Sequence, residues 1–407
     1  MDALFYLTHL SIILLIGLVC TLLSSRLKIS SIFLLLIAGL LLSMIRYRGE
    51  QLISFPLPFL TSLAVLTLVI IVFDGSSRLS IKEFDKLSLS ALRLTLIFLV
   101  LNVLFLPFAV HLLFSGVSIL LSVVFAIAVS GTSPDAVLDI LKDRSSHIIN
   151  LLKIESILNT PITVLLPFIV LDFAHDLSLM DGSSSALDSV FSNIVPFLNQ
   201  LIAGIGAGVL VGVIVFKIIR KISSDQFFPL VILTSALLTY VLAENLGGSG
   251  VLGVAVQGIL FGSASSSENS FFRDFSHLFS TLLEILVFVL LGIVISFNFS
   301  LMFFLKSVAL FALYLLLRLV SVQFAFGSSH SVFEKFFLVL NVPKGIALAV
   351  VTFALSTDSL VAGSEVLNLI VAFMLYSIFI SILVSRYSSF FLNRREGQHQ
   401  SVKPQKH

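Results

Sequence analysis

Along nearly its whole length the chain alternates long apolar runs with short polar breaks. A run of about 20 apolar residues crosses the hydrocarbon layer of a bilayer as a helix. The pattern therefore predicts about thirteen spans, at 5–25, 29–46, 56–74, 88–114, 117–142, 150–175, 189–219, 226–243, 249–264, 276–298, 301–326, 331–356 and 362–390. The first run lacks a basic leader and is followed at once by a second span, so it is read as a retained helix rather than a signal peptide. The expected fold class is an all-α polytopic membrane protein, with a transmembrane domain over 1–393 and a short cytoplasmic tail over 394–407. The Ser- and Gly-rich stretch 181–190 is the expected join between two halves, roughly 29–180 and 189–390.

Composition narrows the function classes. Of 407 residues 58% are hydrophobic and only 11% charged, which leaves no polar surface for a large soluble domain. The 24 basic and 22 acidic residues are dispersed and form no basic face, so nucleic acid is excluded as a partner. A single cysteine, Cys20, allows neither an internal disulfide nor a cysteine metal site. Neither a Ser/His/Asp arrangement nor a phosphate loop is evident, so the reading is not an enzyme and no cofactor is implied. The basic residues fall on alternate loops: Arg26 and Lys28; Arg78, Lys82 and Lys86; Lys142 and Arg144; Lys217, Arg220 and Lys221. Arg273, Lys335 and the tail residues Arg394, Arg395, Lys403 and Lys406 join that side, against Arg46 and Arg48 opposite. The positive-inside rule then puts the N-terminus outside and the C-terminus in the cytoplasm.

Two spans carry residues that hydrocarbon rejects: Ser130-Gly-Thr-Ser-Pro-Asp135 in the fifth and Glu155-Ser-Ile-Leu-Asn-Thr160 in the sixth. A charge at bilayer depth costs roughly 3 kcal/mol on insertion scales and normally faces a bundle interior or wet cavity. Pro134 removes a backbone donor just before Asp135, which predicts an interrupted helix there. A second Pro/Gly break, Asn341-Val-Pro-Lys-Gly-Ile346, interrupts the twelfth span at a corresponding place. Paired interruptions are the pattern of inverted-repeat transporters, with the substrate site between them. Two readings stand: crossing half-helices whose ends Asp135 and Lys344 neutralise, or prolines that merely kink continuous helices.

Several segments resemble the NhaP-type branch of the sodium/proton antiporters, within the monovalent cation:proton antiporter (sodium/hydrogen exchanger) superfamily. Phe73-Asp-Gly-Ser-Ser-Arg-Leu79 resembles the family's Phe-Glu-Gly-Gly-Leu segment, Gly131-Thr-Ser-Pro134 its Ala-Thr-Asp-Pro turn, and Glu155-Ser-Ile-Leu-Asn159 the start of its Glu-Ser-x-x-Asn-Asp motif. Gly248–Leu252 through Gly258–Gly262, then Phe288–Gly292, Arg318 and Pro343-Lys-Gly345 follow in the family's order. The resemblance implies a secondary active antiporter that exchanges H⁺ for Na⁺ or K⁺ by alternating access, as a homodimer in the cell membrane. It departs at two positions: Ser133 and Thr160 stand where the family carries aspartates.

What remains for an ion and proton site is Asp74, the hydroxyls of Thr132, Ser133, Ser156 and Thr160, the Asn159 amide, and Asp135, two residues past the vacated position. Na⁺ or K⁺ would sit on these oxygens, and Asp135 is the expected proton-exchanging carboxylate. The other reading of Asp135 is a wet, N-terminal helix residue in line with Asp139, and of Asp74 a boundary charge near Arg78. Glu155 and Arg318 are expected, from the family, to form a buried structural ion pair. Lys344 is expected to balance helix ends, and Glu284 to line a funnel. His111, His147, His175, His277 and His330 fall near span ends and are read as interfacial rather than as ligands. Two alternatives stay open: a cation channel or efflux pathway without obligatory proton exchange, and a degenerate homologue that does not transport.

Overall fold

In the computed structural model, residues 3–27, 29–47, 50–77, 86–133, 147–178, 186–219, 228–264, 270–295, 297–298, 300–327 and 330–387 are described. They form α1 (Ala3–Leu27), α2 (Ser31–Met44), α3 (Leu57–Ser77), α4 (Lys86–Leu113), α5 (Ile119–Ala128), α6 (His147–Ser178) and α7 (Ala186–Ile219). After these come α8 (Phe228–Asn245), α9 (Gly250–Ala264), α10 (Ser270–Val294), α11 (Leu301–Phe326), α12 (Val332–Leu340), α13 (Ile346–Ser356) and α14 (Glu365–Arg386). A two-residue antiparallel pairing, Arg46–Tyr47 with Glu50–Gln51, closes the turn after α2 and is the only sheet among the described residues. Seven of these helices are long and apolar enough to cross a membrane by length and composition, and six shorter apolar helices accompany them.

Serine starts several of these helices, because the first backbone N–H groups of a helix need an acceptor that lipid cannot supply. Ser118 Oγ accepts from Leu121 N at 3.3 Å at the head of α5, and Ser300 Oγ accepts from Phe303 N at 3.2 Å at the head of α11. At α12, Ser331 and Glu334 form a reciprocal capping box, with bonds of 3.2 and 2.7 Å.

Burial sorts the helices. In the most apolar stretch of α14, 61% of residues are buried, against 17% in α1, so α14 is central and α1 peripheral. Without a hydrophobic drive between helices in lipid, close approach of small residues sets the packing. At the α2–α10 contact Gly39 faces Gly292, and a Cβ on Gly292 would stand 2.6 Å from the Gly39 carbonyl carbon. Any larger residue there forces the helices apart.

The predicted twelfth span, 331–356, is two helices. α12 ends at Leu340, residues 341–345 are non-helical, and α13 begins at Ile346. Pro343 has no N–H to continue a helix, which accounts for the break. The predicted fifth span also stops early: α5 ends at Ala128, and residues 131–133 are non-helical. Pro134, Asp135 and the rest of that span through 142 lie outside the described residues, as do Arg78, Asp139 and the tail over 394–407.

Candidate functional site

The two unwound stretches meet. Ser133 N donates to Pro343 O at 2.8 Å, tying the end of the first stretch to the middle of the second. Gly345 permits this approach, because a Cβ there would run into the Ser133 side chain. Unwound backbone in lipid must have its polar groups satisfied by protein, and three sets of polar side chains gather around the two stretches.

The first is Lys344, wholly buried. Its Nζ donates to Val129 O, to Gly131 O at 2.6 Å and to Tyr314 Oη at 2.5 Å. Two of these acceptors are carbonyls at the C-terminal end of α5, where unpaired carbonyls carry the equivalent of roughly half a negative charge. These contacts bring a residue from the second half of the chain onto the carbonyls that follow α5.

The second set is a serine stripe on α14, at Ser377, Ser381 and Ser385. Ser377 Oγ accepts from Lys344 N at 3.2 Å, Ser381 Oγ donates to Leu340 O at 3.3 Å, and Ser385 Oγ donates to Asn341 Oδ1 at 3.2 Å. The third is Asn102 on α4, whose Nδ2 donates to Ser130 Oγ at 2.9 Å while Ser130 donates to Ala126 O at 2.7 Å. Sequence reasoning passed over Asn102, Tyr314 and the α14 serines. Their signals were present: four-residue spacing of serines on an apolar helix, and a lone amide within the apolar run of α4.

Glu155 and Arg318 form a fork-to-fork pair, Nη1 to Oε1 at 2.6 Å and Nη2 to Oε2 at 2.7 Å, with 1% and 0% of their side chains exposed. The guanidinium carbon lies 4.8 Å from the centre of the Phe98 ring. The pair joins α6 to α11, and the two charges cancel.

Beside this framework lies a small cavity of ≈ 10 Å³ with hydroxyl and amide groups among an otherwise apolar lining, room for about one water or bare ion. Gly131, Thr132 and Ser133 line it from the first stretch, Asn159, Thr160 and Thr163 from α6, and Gly345, Ala347 and Leu348 from the second stretch and α13. Asn159 Nδ2 donates to Thr132 Oγ1 at 2.7 Å, and its Oδ1, buried, has no hydrogen-bond partner among the described residues. The Thr160 and Thr163 hydroxyls donate back to Ser156 O at 2.6 Å and Asn159 O at 3.0 Å, which spends their hydrogens on the helix and leaves oxygen lone pairs toward the cavity. Thr163 was missed in the sequence, although it stands one turn beyond Asn159.

Of the other residues singled out, Ser156 donates to Lys153 O at 3.0 Å and is not among the cavity-lining residues. Asp74 is half-buried near the end of α3, and its neighbour Gly75 packs on the Thr160 methyl group. Glu284 Oε1 accepts from Ser31 Oγ at 2.9 Å, a side-chain contact that joins α10 to the first turn of α2. His175, read as interfacial, bonds Asp358 Oδ2 through Nε2 at 2.8 Å. His111 bonds Val117 O at 3.0 Å.

A family model described as "Sodium/hydrogen exchanger, transmembrane" matches residues 11–386. The chain is 26% identical over 295 residues to the K⁺/H⁺ antiporter NhaP of Alkalimonas amylolytica, a stretch covering 70% of this chain and 49% of that protein. It is 28% identical over 153 residues to the low-affinity Na⁺/H⁺ antiporter NhaS1 of Synechocystis, covering 37% and 28% respectively. The chain thus spans about half, or less, of the length of these curated relatives. The fold is similar to that of the sodium proton antiporter MjNhaP1 from Methanocaldococcus jannaschii, with a TM-score of 0.75 at 19% identity over 97% of this chain and 99% of that one.

Proposed function

The chain belongs to the sodium/hydrogen exchanger family, and from that premise we propose that it is a secondary antiporter exchanging H⁺ for Na⁺ or K⁺ by alternating access. The observation that carries this reading is the cavity at the junction of the two unwound stretches, with a buried amide oxygen that lacks a donor among the described residues. Monovalent alkali cations are bound in proteins by oxygens that replace their hydration shell. Thr132, Ser133, Asn159 and Thr160 supply such oxygens, Ser156 supports the Thr160 turn through its carbonyl, and Asp74 stands at the cytoplasmic approach.

Coupling to protons requires a group that holds either a proton or the charge that attracts the cation. Asp135 takes that role, standing in for the carboxylates missing at Ser133 and Thr160. Glu155 with Arg318 and Lys344 hold the geometry and contact neither ion. The two interruptions support inverted repeats over roughly 29–180 and 189–390. The distribution of basic loops supports an N-terminus outside and a C-terminus inside the cell membrane, and the family supports a homodimer.

The test is proton release from reconstituted proteoliposomes on addition of Na⁺ or K⁺. Wild-type protein should exchange, and Asp135→Asn should lose exchange. Full exchange by Asp135→Asn removes that residue from the role, and cation flux without proton movement in the wild type removes antiport itself.

A further inference from the structure

A second cavity lies apart from the polar one, in the angle between α3, α7, α8 and α9. It measures ≈ 270 Å³, at the lower edge of the size of small-ligand pockets, about 300–1,000 Å³. Its wall is chiefly apolar, built on Phe73, Phe216, Ile232 and Phe261. Exposed Lys217 also lines it, so the cavity reaches the surface of the bundle beside a basic residue, and Arg220 and Lys221 stand three and four positions further along the sequence. Gly212 keeps the α7 side open, because a side chain there would point at Leu260 and Gln257.

We infer that this cavity holds one acyl chain of an anionic phospholipid from the cytoplasmic leaflet, with Lys217 at the headgroup phosphate. The cytoplasmic assignment rests on the orientation proposed above. An apolar cavity open to the hydrocarbon layer accepts a lipid tail, and basic residues at the cytoplasmic ends of helices select negative headgroups. A zwitterionic lipid offers the same tail and a weaker partner for the ammonium. The cavity also touches the transport region. Phe73 directly precedes Asp74, and Gly75 packs on Thr160, where a Cβ would lie 3.1 Å from the Thr160 methyl carbon. A chain lodged against Phe73 therefore braces the turn of α3 that backs the polar cavity.

The experiment reads lipid binding directly and so does not depend on transport. Purified full-length protein in detergent is titrated with phosphatidylglycerol or phosphatidylcholine, and bound lipid is followed by native mass spectrometry alongside the thermal midpoint. Phosphatidylglycerol should be retained and should raise the midpoint by a few degrees more than phosphatidylcholine. Lys217→Gln, a surface change that leaves the packing intact, should abolish the difference between the lipids. Gly212→Leu, which fills the cavity, should abolish retention of both. Equal shifts with the two lipids in the wild type, or an unchanged preference in either variant, overturns the assignment.

Discussion

Two polar clusters sit side by side in the core and are built on opposite terms. In one, Glu155 and Arg318 pair through two short bonds, and Lys344 fills three acceptors. In the other, Thr132, Ser133, Asn159, Thr160 and Thr163 bring neutral oxygens to a small cavity, and the Asn159 carbonyl oxygen lacks a donor among the described residues. In the charged cluster both Glu155 oxygens and the Lys344 Nζ are engaged, and Arg318 Nε is the atom without a hydrogen-bond partner among the described residues. The neutral one is under-satisfied, and a buried acceptor without a donor costs about 1–3 kcal/mol until something fills it. The charged contacts tie α6 to α11 and Lys344 to the end of α5, whereas the neutral oxygens line the cavity.

The largest effect should come from breaking the charged cluster. Arg318→Ala leaves Glu155 buried and unpaired, a loss of about 3–5 kcal/mol. The checking measurement is the thermal midpoint in detergent, where the variant should be strongly destabilised or should fail to purify as a monodisperse species. A midpoint within a degree or two of the wild type would mean that the pair is not a structural tie. Next comes Lys344→Met, which keeps the stem and removes the ammonium, stranding the Val129 and Gly131 carbonyls. At about 1–3 kcal/mol it should lower the midpoint less than Arg318→Ala does. Lys344→Arg, keeping charge but not shape, should fall between Lys344→Met and the wild type.

Much of the fold was legible because membrane helices announce themselves by length and apolarity: every predicted span overlaps a described helix. The break at 341–345 was legible for a local reason, since Pro343 forbids a continuous hydrogen-bond ladder. The partners of the unwound backbone were harder to see. Ser377, Ser381 and Ser385 look like isolated small residues until α14 is laid against residues 340–344, and Tyr314 looks like one more aromatic until Lys344 reaches it. Such contacts depend on segments 30 or more positions apart packing together, and no local pattern encodes that. His175 with Asp358, separated by 183 positions, was invisible for the same reason.

The neutral cluster predicts a different signature: function lost with stability kept. Asn159→Ala removes the free carbonyl oxygen and one donor to Thr132, worth about 1 kcal/mol of folding stability. Losing one cation ligand should weaken apparent cation affinity by about tenfold, the equivalent of about 1.4 kcal/mol. The half-maximal Na⁺ or K⁺ concentration for proton release from proteoliposomes measures this. A variant that loses stability as Arg318→Ala does, or that keeps wild-type affinity, would erase the distinction between the clusters.

The smallest effect should come from the His175–Asp358 contact. His175–Asp358 has nearly the same length as Arg318–Glu155, 2.8 against 2.6 Å, yet its side chains are 35% and 22% exposed rather than sealed. If contact distance alone set the strength of such a contact, the two would be comparable. Solvent screening and the side-chain entropy of ordering an exposed pair predict otherwise, at most about 1 kcal/mol for a surface contact. His175→Gln, which leaves a neutral donor in place, should therefore shift the thermal midpoint by a small fraction of the Arg318→Ala shift and leave cation affinity at the wild-type value. A shift of equal size would make burial irrelevant to the strength of the charged core, and the contrast between the two clusters would then need a different cause.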